Sequence, residues 1–146
     1  MIFAHQIVGL MPLIDSHFSW FWFLGAVILD IDHLFVLYKH KIFSLTKIFE
    51  IEAHEDKYNI RFKTKYGHSI FGAVVCSLPI LFINAYGAMT FFFAYILHLI
   101  LDWPDKDEKQ YFYPFKFKVR GFLSILSKWE ILFTLALLVV YIKMVI

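Results

Sequence analysis

The sequence predicts an all-α integral membrane protein, a bundle of about four to five helices in a single domain over residues 1–146. Hydrophobic residues make up 60% of the chain, against about 45–50% in soluble domains. Charged residues make up only 18%, against roughly 25% in soluble proteins. A domain of 146 residues could not bury so much apolar surface in water. The 21% aromatic content also excludes a disordered chain.

The longest uncharged stretch predicts a helical hairpin. Residues 66–101 are 36 residues without Asp, Glu, Lys or Arg. A membrane-spanning helix needs about 20 apolar residues, so the stretch is too long for one span. Asn84–Gly87 is a turn signal near its middle. We therefore expect two helices, over about Gly67–Ile83 and Ala88–Trp103.

Further helices are predicted on either side of this hairpin. Ile2–Ile14 is apolar apart from two residues, and Phe18–Tyr38 is apolar apart from a short polar block. These segments predict a second hairpin whose first arm is short for a full crossing. Near the C-terminus, 12 uncharged residues within Trp129–Ile146 predict a fifth helix.

Two polar loops set the predicted topology. Residues 39–65 and 105–128 hold 13 of the 14 Lys and Arg residues. The positive-inside tendency places both loops in the cytoplasm, so we expect a multi-pass protein of the inner or plasma membrane. The basic loops contain no nucleic-acid-binding module, and no nucleic-acid partner is expected.

Several ionisable residues interrupt the apolar segments. Such residues are costly inside a membrane and usually face a cavity or one another. In the predicted topology, seven of them lie near the cytoplasmic boundary: His5, Asp30, Asp32, His33, His68, His98 and Asp102. His17 lies at the opposite end. The clustering predicts a polar site at the cytoplasmic interface.

The spacing of these residues is typical of metal ligands. His98 and Asp102 are four residues apart and Asp30 and His33 are three apart, so each pair shares a helical face. Imidazoles and carboxylates bind zinc, and they also suit iron or manganese. A lone interfacial His is more often simply hydrogen-bonded, and the Asp30–His33 block alone could be the polar end of a helix. Their convergence favours one shared site for one or two divalent ions, with zinc the first candidate. His40 and His54 are expected in solvent.

The order of the motifs resembles one known family. The motifs are Ala4-His5, Leu29-Asp30-Ile31-Asp32-His33, residues 63–69 ending in Gly67-His68-Ser69, the segment 98–102, and Tyr113-Pro114-Phe115. The set is similar to the YdjM-like family, described as membrane-bound metal-dependent hydrolases or LexA-binding inner-membrane-associated hydrolases. Leu29 replaces a proline of the family pattern and Gly67 replaces a usual Thr. The resemblance implies a multi-helix membrane protein with a hydrolase site, distantly like zinc phospholipase C.

The first functional hypothesis is a metal-dependent hydrolase acting on a phospholipid or lipid-linked phosphoester. The expected ligands are His33, His68, His98 and Asp102, with His5 as a further candidate. Asp30 is expected either to bridge the metal or to orient a His. Asp32 is the expected general base. A site at the membrane boundary suits a substrate with a polar head and an apolar tail, so membrane lipid is the expected partner.

The alternative hypothesis is a non-catalytic membrane protein. It would bind or sense a metal, or anchor an unidentified cytoplasmic partner protein through its loops. A transport path should carry polar groups through the whole bilayer. Residues 78–83 and 132–141 offer almost none, which favours a localised site over a channel.

Overall fold

The computed structural model of the chain describes residues 4–11, 20–124 and 127–146. Helices dominate this part of the chain, with one short antiparallel pair of strands. The elements in chain order are α1 (Ala4–Leu10), α2 (Trp20–Val27), α3 (Ile31–Lys39), α4 (Leu45–Ala53), α5 (Glu55–Tyr58), α6 (Ile70–Leu81), α7 (Ala85–Asp102), β1 (Glu108–Lys109), β2 (Val119–Arg120) and α8 (Lys128–Val145).

Two helical stretches within the described residues are long and apolar enough to cross a membrane. One is α2 and α3 joined through a 3₁₀ turn at Ile28–Asp30, which together run from Trp20 to Lys39. The other is α7. The mostly helical fold is therefore confirmed, while the number of four to five membrane helices stays a prediction.

The predicted central hairpin is present as α6 and α7, and side-chain caps set where each helix begins. The Ser69 hydroxyl accepts a hydrogen bond from the backbone N–H of Gly72, 3.1 Å away. The Asn84 side chain accepts one from Gly87 at 3.0 Å. A capping oxygen satisfies a backbone donor that has no partner inside the helix. Because Asn84 is the cap, α7 begins three residues earlier than predicted.

The polar loops contain structure that the sequence analysis did not predict. Residues 39–65 include α4 and α5. Ile48 and Ile51 on α4 pack with Val36 and Phe62. This apolar stripe on α4 is narrow and interrupted by charged residues, so the sequence pattern did not predict a helix there. In residues 105–128, β1 pairs with β2.

The two polar loops contact each other at one end of the α6–α7 hairpin. The backbone N–H of Ile70 donates to the carbonyl of Tyr111 at 2.9 Å. Arg61 forms an ion pair of 3.1 Å with Glu108. The predicted fifth helix is also present as α8, and it packs against α1. The connection between the two arms of the second predicted hairpin, at Asp15–His17, lies outside the described residues.

Helix α7 is the centre of the molecule, with α2 and α6 packed on it. Gly25 on α2 allows the closest approach, because a Cβ atom there would overlap the backbone carbonyl of Phe91 and lie 3.0 Å from the Cβ of Ala94. The apolar core around α7 consists of Leu29, Ala73, Phe91, Tyr95, Leu99 and Tyr111. Close packing of α2 on α7 therefore depends on a residue without a side chain.

We expect Gly25→Val to destabilise the protein, because the added atoms force α2 away from α7. Overpacking of this kind costs about 1–3 kcal/mol. Thermal unfolding of the detergent-solubilised protein would measure the loss. Leu24→Val is the control, since Leu24 is exposed on the same helix and should leave the melting temperature nearly unchanged. Equal melting curves for Gly25→Val and the wild type would contradict the packing described above.

Candidate metal centre

The last turn of α7 provides two buried polar residues on one face. His98 is 1% exposed and Asp102 is 0% exposed. The Nε2 atom of His98 lies 3.6 Å from Oδ2 of Asp102. The predicted pairing at four-residue spacing is therefore present, and both side chains lie in the protein interior.

Helix α1 adds His5 to this pair. The His5 ring stacks on the His98 ring with centroids 3.8 Å apart, and its Nε2 lies 3.1 Å from Oδ1 of Asp102. One ligand atom from each of these three residues lies within 4.8 Å of the others. His5, which the sequence offered only as a further candidate, thus lies at the centre of the cluster.

His68 approaches from the turn before α6. Its Nε2 atom lies 3.6 Å from Oδ2 of Asp102, and its Nδ1 atom lies 3.1 Å from Oδ2 of Asp32. The two ring nitrogens therefore face different carboxylates, one in the cluster and one behind it.

Asp32, the general base expected from sequence, lies behind His68. Its Oδ2 atom accepts hydrogen bonds from the backbone N–H of Thr64 at 3.2 Å and from the Thr64 hydroxyl at 2.6 Å. Gly67 makes this possible, because a Cβ atom there would overlap the Asp32 carboxylate.

Asp30 and His33 lie at the edge of the cluster. Oδ1 of Asp30 is 3.9 Å from Nε2 of His98 and 3.8 Å from Nδ1 of His33. The Gln6 amide donates a hydrogen bond of 3.2 Å to the other carboxylate oxygen of Asp30. The Asp30 side chain is 27% exposed, so it can be reached from outside the cluster.

The His5, His98 and Asp102 side chains could hold a divalent metal, because one ligand atom from each lies within 4.8 Å of the others. His68 lies beside them, with its Nε2 atom 3.6 Å from Oδ2 of Asp102. Nδ1 of His98 lies 2.6 Å from the carbonyl of Ala26, to which it must donate. Nδ1 of His68 faces a carboxylate in the same way. Each contact leaves the Nε2 lone pair available. In the described part of the chain, the buried Nε2 atoms of His5, His68 and His98 have no hydrogen-bond partner. Imidazole nitrogens and carboxylate oxygens are the donor groups by which proteins bind zinc.

Lys63 is a member of the site that the sequence analysis missed. Its ammonium lies 3.1 Å from Asp102, 3.1 Å from Asp105 and 3.4 Å from Asp107. Burial opposes the charge, but these three carboxylates raise the pKa of Lys63 well above its ordinary range. In the sequence, Lys63 is one of several cations in a basic loop, and no local pattern distinguishes it.

A cavity of about 240 Å³ opens beside the cluster. Its polar wall includes His5, Asp30, His33, Lys63 and Asp102, and its apolar wall is formed by Leu37, Ile48, Phe49 and Phe62. Half of the apolar wall belongs to α4, the helix that was not predicted. The cavity can therefore accept a molecule with one polar and one apolar part.

The structure brings together most of the residues predicted for the site. His5, His68, His98 and Asp102 are central, and Asp30 and His33 are at the edge. Asp32 lies behind His68, which is the predicted site residue that it contacts. His40 and His54 are exposed, as expected. His17 lies outside the described residues.

Comparison with known proteins identifies one family. The family whose sequence model matches is described as YdjM inner membrane protein, and the match covers residues 3–146. No curated protein and no solved structure matches the chain.

We expect a divalent metal to co-purify with the protein and to be lost from His98→Ala. The substitution removes a metal ligand. Loss of a residue that only hydrogen-bonds to a ligand lowers metal affinity by roughly 10–100-fold, so loss of the ligand itself should lower it further. Elemental analysis of detergent-solubilised protein would measure occupancy. His54→Ala is the control, because His54 is exposed. Equal metal content in both variants would contradict a metal centre at this position.

Proposed function

Because the chain belongs to the YdjM inner membrane protein family, we propose that it is a metal-dependent hydrolase of a phospholipid or lipid-linked phosphoester at the membrane interface. One observation carries the proposal. Buried ligand atoms of His5 from α1 and of His98 and Asp102 from α7 lie within 4.8 Å of one another, and Nε2 of His68, from the turn before α6, lies 3.6 Å from Asp102 at the same point. That point lies beside a cavity with a polar and an apolar wall.

The residues that would hold the metal are those four. Zinc in this site would polarise a phosphoryl or carbonyl oxygen and lower the pKa of water toward about 7. Asp30 and His33 are close enough to complete a second site if two ions bind. Lys63 neutralises negative charge around Asp102 and so favours the ionised carboxylate that a metal requires.

Asp30 is the better general base in this arrangement, and Asp32 is a positioning residue. Asp30 lines the cavity, where its carboxylate can take a proton from an attacking water molecule. Oδ2 of Asp32 already accepts two hydrogen bonds from Thr64 and faces Nδ1 of His68. A carboxylate behind a ligand His fixes the ring and its tautomer. We therefore move the base from Asp32, which sequence reasoning favoured, to Asp30.

The apolar wall of the cavity accounts for the choice of substrate. Leu37 on α3 and Ile48 and Phe49 on α4 face the same space as the polar cluster. An acyl or isoprenoid tail along this wall would leave its ester or phosphoester beside His5 and Asp102. The cluster also lies at the C-terminal end of α7, a candidate membrane span, so such a lipid would not have to leave the interface.

We expect Asp30→Asn and Asp32→Asn to fail in different ways. Asp30→Asn should keep its metal and lose turnover by roughly 10²–10⁴-fold, the usual contribution of a general base. Asp32→Asn should weaken metal affinity by roughly 10–100-fold, with activity restored by added metal. Metal competition with a chelator and hydrolysis of phospholipids and lipid-linked phosphoesters in mixed micelles would separate the two effects.

If Asp32→Asn keeps its metal and loses turnover while Asp30→Asn loses metal affinity, Asp32 is the general base. If the metal-loaded wild type hydrolyses no phosphoester or acyl ester in a chelator-sensitive manner, the hydrolase proposal fails. The alternative of a non-catalytic protein that binds or senses metal would then take its place.

We also propose that both polar loops are cytoplasmic and that five crossings leave the C-terminus outside. The basic residues concentrated in these loops support this orientation, and so do the contacts that hold the two loops at one end of the hairpin.

The orientation predicts the side from which cysteines react. In a Cys76→Ala background, Lys47→Cys and Lys116→Cys should react with a membrane-impermeant maleimide from the cytoplasmic side only. Both lysines are exposed. Ile146→Cys should react from the outer side only. Reaction of the two loop positions from opposite sides would disprove the orientation. As a control, each position that reacts in intact vesicles should be protected in inverted vesicles, and the reverse.

A further inference from the structure

A second cavity, of about 170 Å³, adjoins the metal centre. It shares Lys63 with the first cavity and also reaches His68. The residues that line it all carry polar or charged groups: Arg61, Lys63, Thr64, Lys65, His68, Glu108, Lys109, Gln110 and Lys118. We call it the cationic pocket, because five Lys or Arg residues and a single carboxylate line it.

The inner cations of the pocket are already neutralised. Lys63 contacts three carboxylates. The Lys109 ammonium lies 2.8 Å from Oδ1 of Asp107 and donates to the carbonyl of Asp105 at 2.5 Å. These two lysines therefore form the floor of the pocket and have little capacity left for a ligand.

The outer cations are only partly neutralised. Arg61 and Lys118 share one oxygen of Glu108, at 3.1 Å and 2.7 Å. Among the described residues, Lys65 forms no ion pair, and its ammonium lies over the Tyr66 ring at 5.1 Å. Three cations against one carboxylate leave two positive charges at the exposed rim of a concave site.

We propose that the cationic pocket binds a phosphate-type anion. A phosphate monoester carries about −1.5 to −2 charges near pH 7, which matches the excess of positive charge at the rim. Arginine and lysine around one concavity are the usual partners of phosphate oxygens. The anion is either the headgroup of an anionic lipid or free phosphate.

The pocket also has a place in catalysis, which rests on the proposed hydrolase function. Since it reaches His68, an anion bound there lies next to the metal ligands. A substrate with a charged group beyond its scissile bond would then have its tail in the first cavity and that group in the second. The anion binding itself does not depend on hydrolysis.

The test measures binding to metal-stripped protein, so it is independent of catalysis. Native mass spectrometry in detergent would compare phosphatidic acid with phosphatidylcholine, and calorimetry would measure inorganic phosphate. Arg61→Gln combined with Lys65→Gln is the pocket variant. Both side chains are exposed at the rim, and Lys118 still pairs with Glu108. Lys116→Gln is the control, an exposed lysine of the second polar loop, residues 105–128, that does not line the pocket.

We expect the wild type and Lys116→Gln to bind phosphatidic acid in preference to phosphatidylcholine, and the double variant to bind it about tenfold or more weakly. If inorganic phosphate displaces bound phosphatidic acid, the phosphate group is the part of the lipid that the pocket recognises. Binding of inorganic phosphate alone, lost in the double variant, identifies a free anion as the ligand. The proposal is overturned if neither ligand binds, or if the double variant, with an unchanged melting temperature, binds as the wild type does.

Discussion

The complete burial of the Asp102 carboxylate is the constraint on which the rest of the structure depends. A buried charge is stable only when other groups compensate for it. Here compensation comes from Lys63 in the loop before α6 and from His5 on α1. The same Lys63 also contacts Asp105 beyond α7. One carboxylate therefore ties together segments that are far apart in the chain.

Close helix packing determines how the imidazoles are presented. Gly25 allows α2 to approach α7, and the next residue, Ala26, then offers its carbonyl to Nδ1 of His98. Asp32 does the same for His68. In each case the outer contact fixes one nitrogen so that the other faces Asp102. The geometry of the cluster is thus a consequence of backbone approach as much as of the ligand residues themselves.

Local patterns in the sequence were sufficient for the hairpin and for the pairing of His98 with Asp102, since each depends on neighbours a few residues away. Tertiary contacts decided the rest. Helix α4 is stabilised by packing on α3 and Phe62, and Lys63 acquires its role from carboxylates about forty residues later. The roles of Asp30 and Asp32 also depend on tertiary structure, because Asp30 ends the 3₁₀ turn and Asp32 lies in the first turn of α3, so the two face different partners.

The distribution of polar groups along α7 argues for a localised site and against a transport path. From Gly87 to Ala94 its buried residues are Gly, Ala and Phe, and the first buried imidazole or carboxylate is His98, in the last turns. An ion moving across the bilayer needs polar contacts at successive depths, and this helix offers them at one end only. An amphipathic molecule needs something different, a charged site and an apolar surface within one molecular length. The cavity between Asp30 and Ile48 provides both, at the end of the helix where a lipid headgroup would lie.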